Sequence, residues 1–213
     1  MSRPRLVIAD DHAIFLDGLE RILKQDFDLV GIVRDGQALV EEVMRTKPDV
    51  VVVDISMPVL NGIDAMRQIR NAGLRTRIVF LTGSGDIWLA TQALKLGANG
   101  YVLKQSASDE LITAIRAAMD GQTYITPIIA SQVLQNLLSH PQTADGPALT
   151  AREREVLQLL AEGRTLKEAA AILNVSPRTI EFHRNNLADK TGLRTTAELT
   201  RYAVRQGLVT ADG

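Results

Sequence analysis

Apolar runs alternate with amphipathic segments along the first 120 residues of the chain. The runs are short and rich in β-branched residues, which predicts strands buried on both faces of a parallel sheet. Between them, apolar residues recur at helical spacing, as in segments 12–24 and 109–119. Such alternation predicts a doubly wound α/β fold with a five-stranded parallel sheet and five helices. The predicted strands lie at 6–9, 29–33, 50–53, 78–81 and 101–103.

The pattern changes between residues 121 and 148. The stretch IIASQVLQNLL at 128–138 has the spacing of a short amphipathic helix, and the polar SHPQTADGPA that follows contains two prolines and a glycine. Such a composition is typical of a flexible linker. The sequence therefore predicts a first domain over 1–120, followed by a linker with a short helix over 121–148.

Residues 149–213 carry the start signals of four short helices. Three Thr-x-x-Glu capping boxes each open a helix. The fourth start is Ser176-Pro177, a cap residue followed by proline at the first helical position. Only Asn174, Val175 and Ser176 separate the second helix from the third, which is the spacing of a helix-turn-helix. The region is thus predicted to be an all-α domain of four helices. The capping boxes pair Thr150 with Glu153, Thr165 with Glu168 and Thr195 with Glu198.

Composition narrows the class of protein further. The chain has 213 residues and 46% apolar composition, enough for two ordinary domains with their own cores. It has no cysteine, which excludes disulfides, thiolate metal sites and a cysteine nucleophile. No apolar stretch approaches the roughly 18 residues of a membrane span, and the N-terminus lacks the apolar core of a secretion signal. We expect a cytoplasmic protein that makes no membrane contact.

Polar side chains stand at the carboxyl ends of four of the predicted strands. They are Asp10 and Asp11 after the first, Asp54 after the third, Thr82 at the end of the fourth and Lys104 after the fifth. The carboxyl ends of parallel strands meet at one edge of a sheet, where ligands bind. Three carboxylates that lie close together repel one another unless a cation neutralises them. Mg²⁺ is the hard, oxygen-seeking ion that suits this set.

Phosphoryl is the anion that this edge of the sheet can hold. Asp54 offers an oxygen nucleophile, while Lys104 and the Thr82 hydroxyl can stabilise the oxygens of a transferring group. Each residue alone also fits a helix cap, a loop polar group or a solvated surface residue. Their joint position at one edge favours the hypothesis that Asp54 becomes phosphorylated.

Four segments of this region resemble the receiver domain of bacterial two-component response regulators, in the branch related to NarL and FixJ. They are IADDHAIFLDGLERIL, VVVDISMPVLNG, LTGSG at 81–85 and GYVLK at 100–104. The resemblance implies that Asp54 is the phosphoacceptor for a sensor histidine kinase and that Thr82 and Lys104 contact the phosphoryl group. It further implies a switch in which Thr82 moves and Tyr101 turns inward. The implied Mg²⁺ ligands are Asp10, Asp11, Asp54 and the backbone carbonyl of Ser56.

The second helix of the predicted helix-turn-helix has one apolar stripe and one polar stripe. A polar stripe of this kind can contact base edges and phosphates in the major groove. By charge pattern alone, an ordinary solvated helix face is the favoured interpretation. The residues that would make such contacts are Arg178, Thr179, Glu181, Phe182, Arg184, Asn185 and Lys190.

The region from LTAREREVLQLLAEG to SPRTIEFHRNNLADKTGL resembles the LuxR-type helix-turn-helix over its whole length. The resemblance implies that 177–191 is the recognition helix and that Glu181, Phe182 and Asn185 face the bases. It also implies that the last helix, about 195–206, pairs two such domains. We therefore predict a partner in double-stranded DNA and a homodimer at least on DNA.

The combined prediction is a phosphorylation-dependent transcriptional regulator that is not an enzyme, with at most slow self-dephosphorylation. Two other functions stay open. Phosphatases with an aspartyl-phosphate intermediate commonly place a second acid two residues after the nucleophile, where this chain has Ser56. The second open function is a DNA-binding dimer with a phosphorylation-independent receiver. The complete set of acidic, hydroxyl and lysine positions argues against it.

Overall fold

The computed structural model describes residues 3–83, 85–139 and 149–209. They divide into two compact units, one formed mainly by the residues before 140 and the other mainly by those after 148. Most of the predicted flexible linker, residues 140–148, lies outside the described residues. No helix in the described ranges has both the length and the apolar character that a membrane crossing needs.

The first unit is built on one parallel sheet with the strand order β2-β1-β3-β4-β5-β6. The predicted doubly wound parallel sheet is confirmed, but the predicted number of strands is wrong, because the sheet has six strands and not five. The sixth pairs with β5, Gly100 lying opposite Tyr124. It is only two residues long, too short to show a strand pattern in the sequence. The strands are β1 (Arg5–Ala9), β2 (Asp28–Val33), β3 (Val50–Val53), β4 (Arg77–Thr82), β5 (Gly100–Leu103) and β6 (Tyr124–Ile125).

Helices cover both faces of this sheet. Alternate strand residues such as Ile8, Val52 and Leu81 pack with α1 and α5 in one hydrophobic cluster. Their neighbours, including Val51 and Phe80, are equally buried and point to the opposite face, since side chains alternate along a strand. The helices are α1 (Ala13–Leu23), α2 (Gly36–Thr46), α3 (Gly62–Asn71), α4 (Ile87–Lys95) and α5 (Ala107–Met119).

A sixth helix, α6 (Pro127–Ser139), follows β6 and packs against α4. Its residues Ile129 and Val133 are buried. Thr126, at the junction of β6 and α6, joins three elements. Its N–H donates to the Tyr101 carbonyl at 2.9 Å, its hydroxyl accepts from the Leu103 N–H at 3.2 Å, and the same hydroxyl donates to Glu110 Oε2 at 2.6 Å.

Thr126→Val is expected to destabilise this junction by about 1–3 kcal/mol, because it keeps the shape of the side chain but leaves the Leu103 N–H without its acceptor and removes one donor to the Glu110 carboxylate. Amide hydrogen exchange of Leu103 is the measurement, and we expect it to accelerate. Thr126→Ser, which keeps the hydroxyl, is the control and should retain protection. Unchanged exchange of Leu103 in the valine variant would contradict the prediction.

Residues 149–209 form four helices around one core, as predicted. All three predicted capping boxes are confirmed, since each threonine side chain accepts from the glutamate N–H and each glutamate reaches back to the threonine N–H. Ser176 caps the third helix and Pro177 opens it. Asn174, in the turn before that helix, has a left-handed φ of 52°. The helices are α7 (Ala151–Ala161), α8 (Leu166–Ile172), α9 (Pro177–Thr191) and α10 (Thr196–Arg205).

Candidate functional site

Two aspartates lie side by side where β1 and β3 end. The Asp54 N–H donates to the Ala9 carbonyl at 2.8 Å, and the Asp10 N–H donates to the Val33 carbonyl at 3.2 Å. The sheet ladder therefore fixes the backbone of both residues. Both side chains are buried although both are acidic. Burying acidic side chains is energetically unfavourable, and a rigid cluster of such buried groups is typical of a functional site.

Lys104 bridges the two carboxylates from the end of β5. Its Nζ lies 2.7 Å from Asp10 Oδ2 and 2.7 Å from Asp54 Oδ2. Only 17% of its side chain is exposed, so both ion pairs are largely shielded from water. The three strand ends that the sequence predicts to converge thus place two carboxylates around one ammonium.

Asp11 and His12 complete the acidic side of the site. His12 Nδ1 lies 2.8 Å from Asp11 Oδ1 and 3.0 Å from Asp10 Oδ1, and the His12 N–H donates to Asp10 Oδ1 at 2.9 Å. The His12 side chain is 66% exposed. Its contacts with both acids were not anticipated, although its place directly after the Asp-Asp pair was the available signal.

Burial and charge oppose each other at this site. Burial raises the pKa of Asp54, and the charge of Asp10 adds to this, while Lys104 lowers the pKa by its charge and hydrogen bond; the net shift is upward. Burial alone lowers the pKa of Lys104, but the charges and hydrogen bonds of Asp54 and Asp10 outweigh it, so that pKa is raised. Lys104 is therefore charged at neutral pH, and burial makes ionisation of Asp54 less favourable.

Thr82 and Ser56 lie on the same edge of the sheet, whereas Tyr101 lies within β5. Thr82 is the buried last residue of β4 and is paired with Leu103 of β5. Ser56 follows Asp54 by two residues, and its N–H donates to Asp54 Oδ1 at 3.3 Å. Tyr101 is fully buried within β5, and burial raises the pKa of its phenol, with smaller contributions from the charges of Asp86 and Asp54.

Gly62 shapes the loop after Asp54, and the sequence predictions missed this role. A Cβ atom added at Gly62 would lie 2.2 Å from the Asp54 carbonyl oxygen. The Gly62 N–H also donates to the Ile55 carbonyl at 2.8 Å. Asn61, which caps α3 by accepting from the Asp64 N–H at 2.9 Å, holds the start of that helix against the loop. The Asn-Gly pair in LNG was the available signal for a close backbone approach.

The acidic cluster fits a divalent cation by the chemistry of its donors. One ligand atom from each of Asp10, Asp11, His12 and Asp54 can be chosen so that all four lie within 4.8 Å of one another. Three of the four donors are carboxylate oxygens, which Mg²⁺ prefers. Two of those carboxylates are buried, and Lys104 only partly offsets the effect of burial on Asp54. A cation bound there would stabilise the ionised carboxylates further.

The predicted DNA contacts lie along α9. Its apolar side is formed by Ile180 and Leu187, which are buried in the core of the second unit. On the other side, Arg178, Glu181 and Asn185 are exposed. Phe182 is 59% exposed, and its ring lies edge-on to His183, which places a large apolar group on an otherwise polar surface. Thr179 and Arg184 are partly exposed.

Lys190 differs from the other predicted DNA contacts. Its Nζ lies 2.7 Å from Glu153 Oε2, and Glu153 also accepts from the Thr150 N–H at 2.8 Å. Lys190 therefore ties the end of α9 to the capping box of α7. Burial raises the pKa of Glu153. The hydrogen bonds from Lys190 and Thr150 outweigh this effect, so the pKa is lowered overall.

Comparisons with known proteins assign a family to each of the two units. A model of the response regulator receiver domain matches residues 6–116, and a model of bacterial regulatory proteins of the luxR family matches residues 147–203. The chain belongs to the two-component response regulators that join a receiver domain to a LuxR-type DNA-binding domain. It is thus a transcription regulator, as the resemblance of its motifs led us to expect.

Named relatives cover nearly the whole chain. The transcriptional regulatory protein MctR of Rhizobium johnstonii is 36% identical over 98% of this chain and 97% of its own length. The oxygen regulatory protein NreC of Staphylococcus epidermidis is 33% identical over 96% of this chain and 99% of its own. The RcsB response regulator of Salmonella typhimurium is 30% identical, with a TM-score of 0.62 over 95% of this chain and 97% of that one. A structure of two RcsB dimers bound to two parallel DNAs is 28% identical, with a TM-score of 0.61 over 94% of this chain and 98% of that one.

Proposed function

We propose that this response regulator binds DNA in a phosphorylation-dependent manner, with Asp54 as the phosphoacceptor for a sensor histidine kinase. The observation that carries the proposal is the position of Lys104, 2.7 Å from both Asp10 and Asp54 at the carboxyl edge of the sheet. The proposed functional division is a phosphoacceptor domain over 1–120, a linker over 121–148 and a DNA-binding domain over 149–213.

The proposed reaction is transfer of a phosphoryl group from a phosphohistidine of the kinase to Asp54. A lone pair on an Asp54 carboxylate oxygen forms the new O–P bond, and the P–N bond breaks with its electron pair passing to the imidazole nitrogen. Lys104 then has a phosphoryl oxygen in place of a carboxylate oxygen as acceptor. The Thr82 hydroxyl, on the neighbouring strand end, is the second donor to the transferred group.

The residues that would hold Mg²⁺ are Asp10, Asp11, Asp54 and the backbone carbonyl of Ser56. When bound, the ion neutralises the charge that collects between the carboxylates and the phosphoryl group. The chain has Ser56 and no second acid two residues after Asp54. We therefore propose that no external phosphoester is turned over and that the acyl phosphate is lost only by slow hydrolysis in place.

Phosphorylation would act on the second unit through the receiver surface near Tyr101. The Tyr101 carbonyl accepts from Thr126, so a shift of β5 reaches α6 directly through one hydrogen bond. Thr82 and Tyr101 are the proposed switch residues. The RcsB structure with two dimers on two DNAs supports a homodimer on paired half-sites for this chain as well. In that dimer, α10 would pair the DNA-binding domains.

A second candidate function is a constitutive DNA-binding dimer whose receiver acts without phosphorylation. The side chain of Tyr101 favours it, because this side chain is fully buried. An inward tyrosine is the arrangement that the first proposal assigns to the phosphorylated state. The two candidates therefore differ in whether phosphorylation changes DNA binding.

DNA binding by the full chain is expected to tighten at least tenfold when beryllofluoride, a phosphoryl mimic, is added with Mg²⁺. Selection of bound genomic fragments would supply the operator, and titration of that operator with and without the mimic would give the ratio. Equal affinity with and without the mimic would favour the constitutive dimer.

Asn185→Ala should weaken operator binding both with and without the mimic, by about 1–3 kcal/mol if Asn185 contacts a base.

A further inference from the structure

An aromatic ring lies against the ammonium group of Lys104. The Phe15 ring centroid is 5.0 Å from Lys104 Nζ, within the range of an attractive cation–π contact. Phe15 belongs to α1 and packs at the edge of the hydrophobic cluster between α1, α5 and the sheet. The ring therefore has a fixed place between the core and the acidic site.

The ring and the two carboxylates together surround the ammonium. Lys104 donates a hydrogen bond to Asp54 Oδ2 at 2.7 Å, and its Nζ forms an ion pair with Asp10 Oδ2 at the same distance. The aromatic face covers a further part of the group, and only 17% of the side chain remains exposed. Phe15 thus limits the water that can hydrate the ammonium and holds the long lysine side chain in one place.

Phosphoryl transfer would change the hydrogen-bond partners of Lys104 but leave its contact with the ring in place. One carboxylate oxygen of Asp54 enters the new O–P bond, so the ammonium must turn towards a phosphoryl oxygen. A cation–π attraction depends little on where the individual N–H bonds point, because it comes from the quadrupole of the ring. The ring can therefore hold the charge in position during this exchange.

We infer that Phe15 is a positioning residue for phosphoryl transfer to Asp54, acting through Lys104. The inference rests on the proposed function, because it assumes that Asp54 accepts the phosphoryl group. It adds a residue outside the predicted acidic, hydroxyl and lysine positions, and it assigns to α1 a contribution to the rate of phosphorylation.

The test compares Phe15→Leu with Phe15→Tyr in the full chain. Leucine keeps an apolar side chain at the edge of the core but has no aromatic face, whereas tyrosine keeps the face. With phosphoramidate as donor and Mg²⁺ present, we expect the rate of Asp54 phosphorylation to fall about three- to tenfold in the leucine variant, the size of a partly shielded cation–π contact. The tyrosine variant should retain a rate near that of the wild type.

A spectroscopic readout reports the contact directly. The ring current of Phe15 should shift the NMR signals of the Lys104 ε-methylene protons upfield in the wild type and in the tyrosine variant, and not in the leucine variant. Phe27→Leu is the matched control, since Phe27 is a buried aromatic of the same hydrophobic cluster that lies directly before β2, at the opposite edge of the sheet. This control should lose stability but keep the wild-type rate.

The outcomes separate the inference from the proposed function. Absence of phosphorylation in the wild type would overturn the proposed function itself. Normal wild-type phosphorylation with an equal rate in Phe15→Leu would overturn the inference alone. Equal slowing in the leucine, tyrosine and Phe27→Leu variants would also overturn it, because core packing and not the aromatic face would then set the rate.

Discussion

Asp54→Asn is expected to abolish incorporation of a phosphoryl group from phosphoramidate or from a phosphorylated histidine kinase. The amide nitrogen and oxygen of asparagine cannot form the acyl phosphate, while the side chain keeps its size. Intact-protein mass spectrometry after incubation with the donor and Mg²⁺ is the measurement. Asp17→Asn, which changes an exposed acid of α1, is the matched control and should be labelled like the wild type. Labelling of the Asp54 variant at wild-type levels would contradict the assignment.

The same variant is expected to be more stable than the wild type at neutral pH. Burial raises the pKa of Asp54 in the folded chain, whereas in the unfolded chain it is about 3.9. The folded state therefore binds the proton more tightly, and this contribution to stability is present at acid pH and is lost as the pH rises through the folded pKa. Asparagine stays neutral at every pH and does not incur this loss.

The stability gain should therefore appear above the folded pKa of Asp54 and vanish in acid. Hydrogen exchange of the β3 amides at several pH values measures it within the first unit, without assuming that both units unfold together. A gain in stability together with loss of labelling would also exclude misfolding as the cause of the lost labelling. A variant that is less stable than the wild type at neutral pH would show that the ion pair with Lys104 outweighs the cost of burial.

Gly62→Ala is expected to have the second largest effect, about 3 kcal/mol of lost stability in the first unit, at the upper end of what overpacking costs. The added Cβ would lie 2.2 Å from the Asp54 carbonyl oxygen and 3.1 Å from Ile55 Cα. Both are backbone atoms, so neither can rotate away as a flexible side chain would. The loop must shift, which moves the backbone of Asp54 relative to Lys104 and should slow phosphorylation as well.

Gly18→Ala is the matched control for this substitution. Gly18 lies inside α1, and an added Cβ there meets no heavy atom within 4 Å. Because alanine restricts the unfolded chain more than glycine, we expect a gain of about 0.5–1 kcal/mol. Hydrogen exchange and the rate of labelling should be measured for both variants. Wild-type labelling by the Gly62 variant would show that the loop accommodates the methyl group.

The sequence by itself predicted most of the local structure and the location of the candidate site. Short β-branched apolar runs predicted the five longer strands, and short-range signals such as Thr150 with Glu153 predicted where helices begin, because both depend on neighbours along the chain. The site could be located because the carboxyl ends of parallel strands share one edge, so residues as distant as Asp10, Asp54 and Lys104 were expected to converge without any knowledge of distances.

Only the tertiary structure decided which side chains touch. The short strand β6 exists because β5 offers it a partner, and its two residues have no periodicity of their own to detect. The Phe15 ring meets Lys104, and Lys190 meets Glu153, through the packing of elements that are far apart in sequence. Such contacts depend on the relative positions of whole elements, to within about an ångström. Strands, helices and caps instead depend on the few residues that are neighbours along the chain. The sequence therefore determined which groups gather at the carboxyl edge of the sheet, and the packing determined which of them Lys104 contacts.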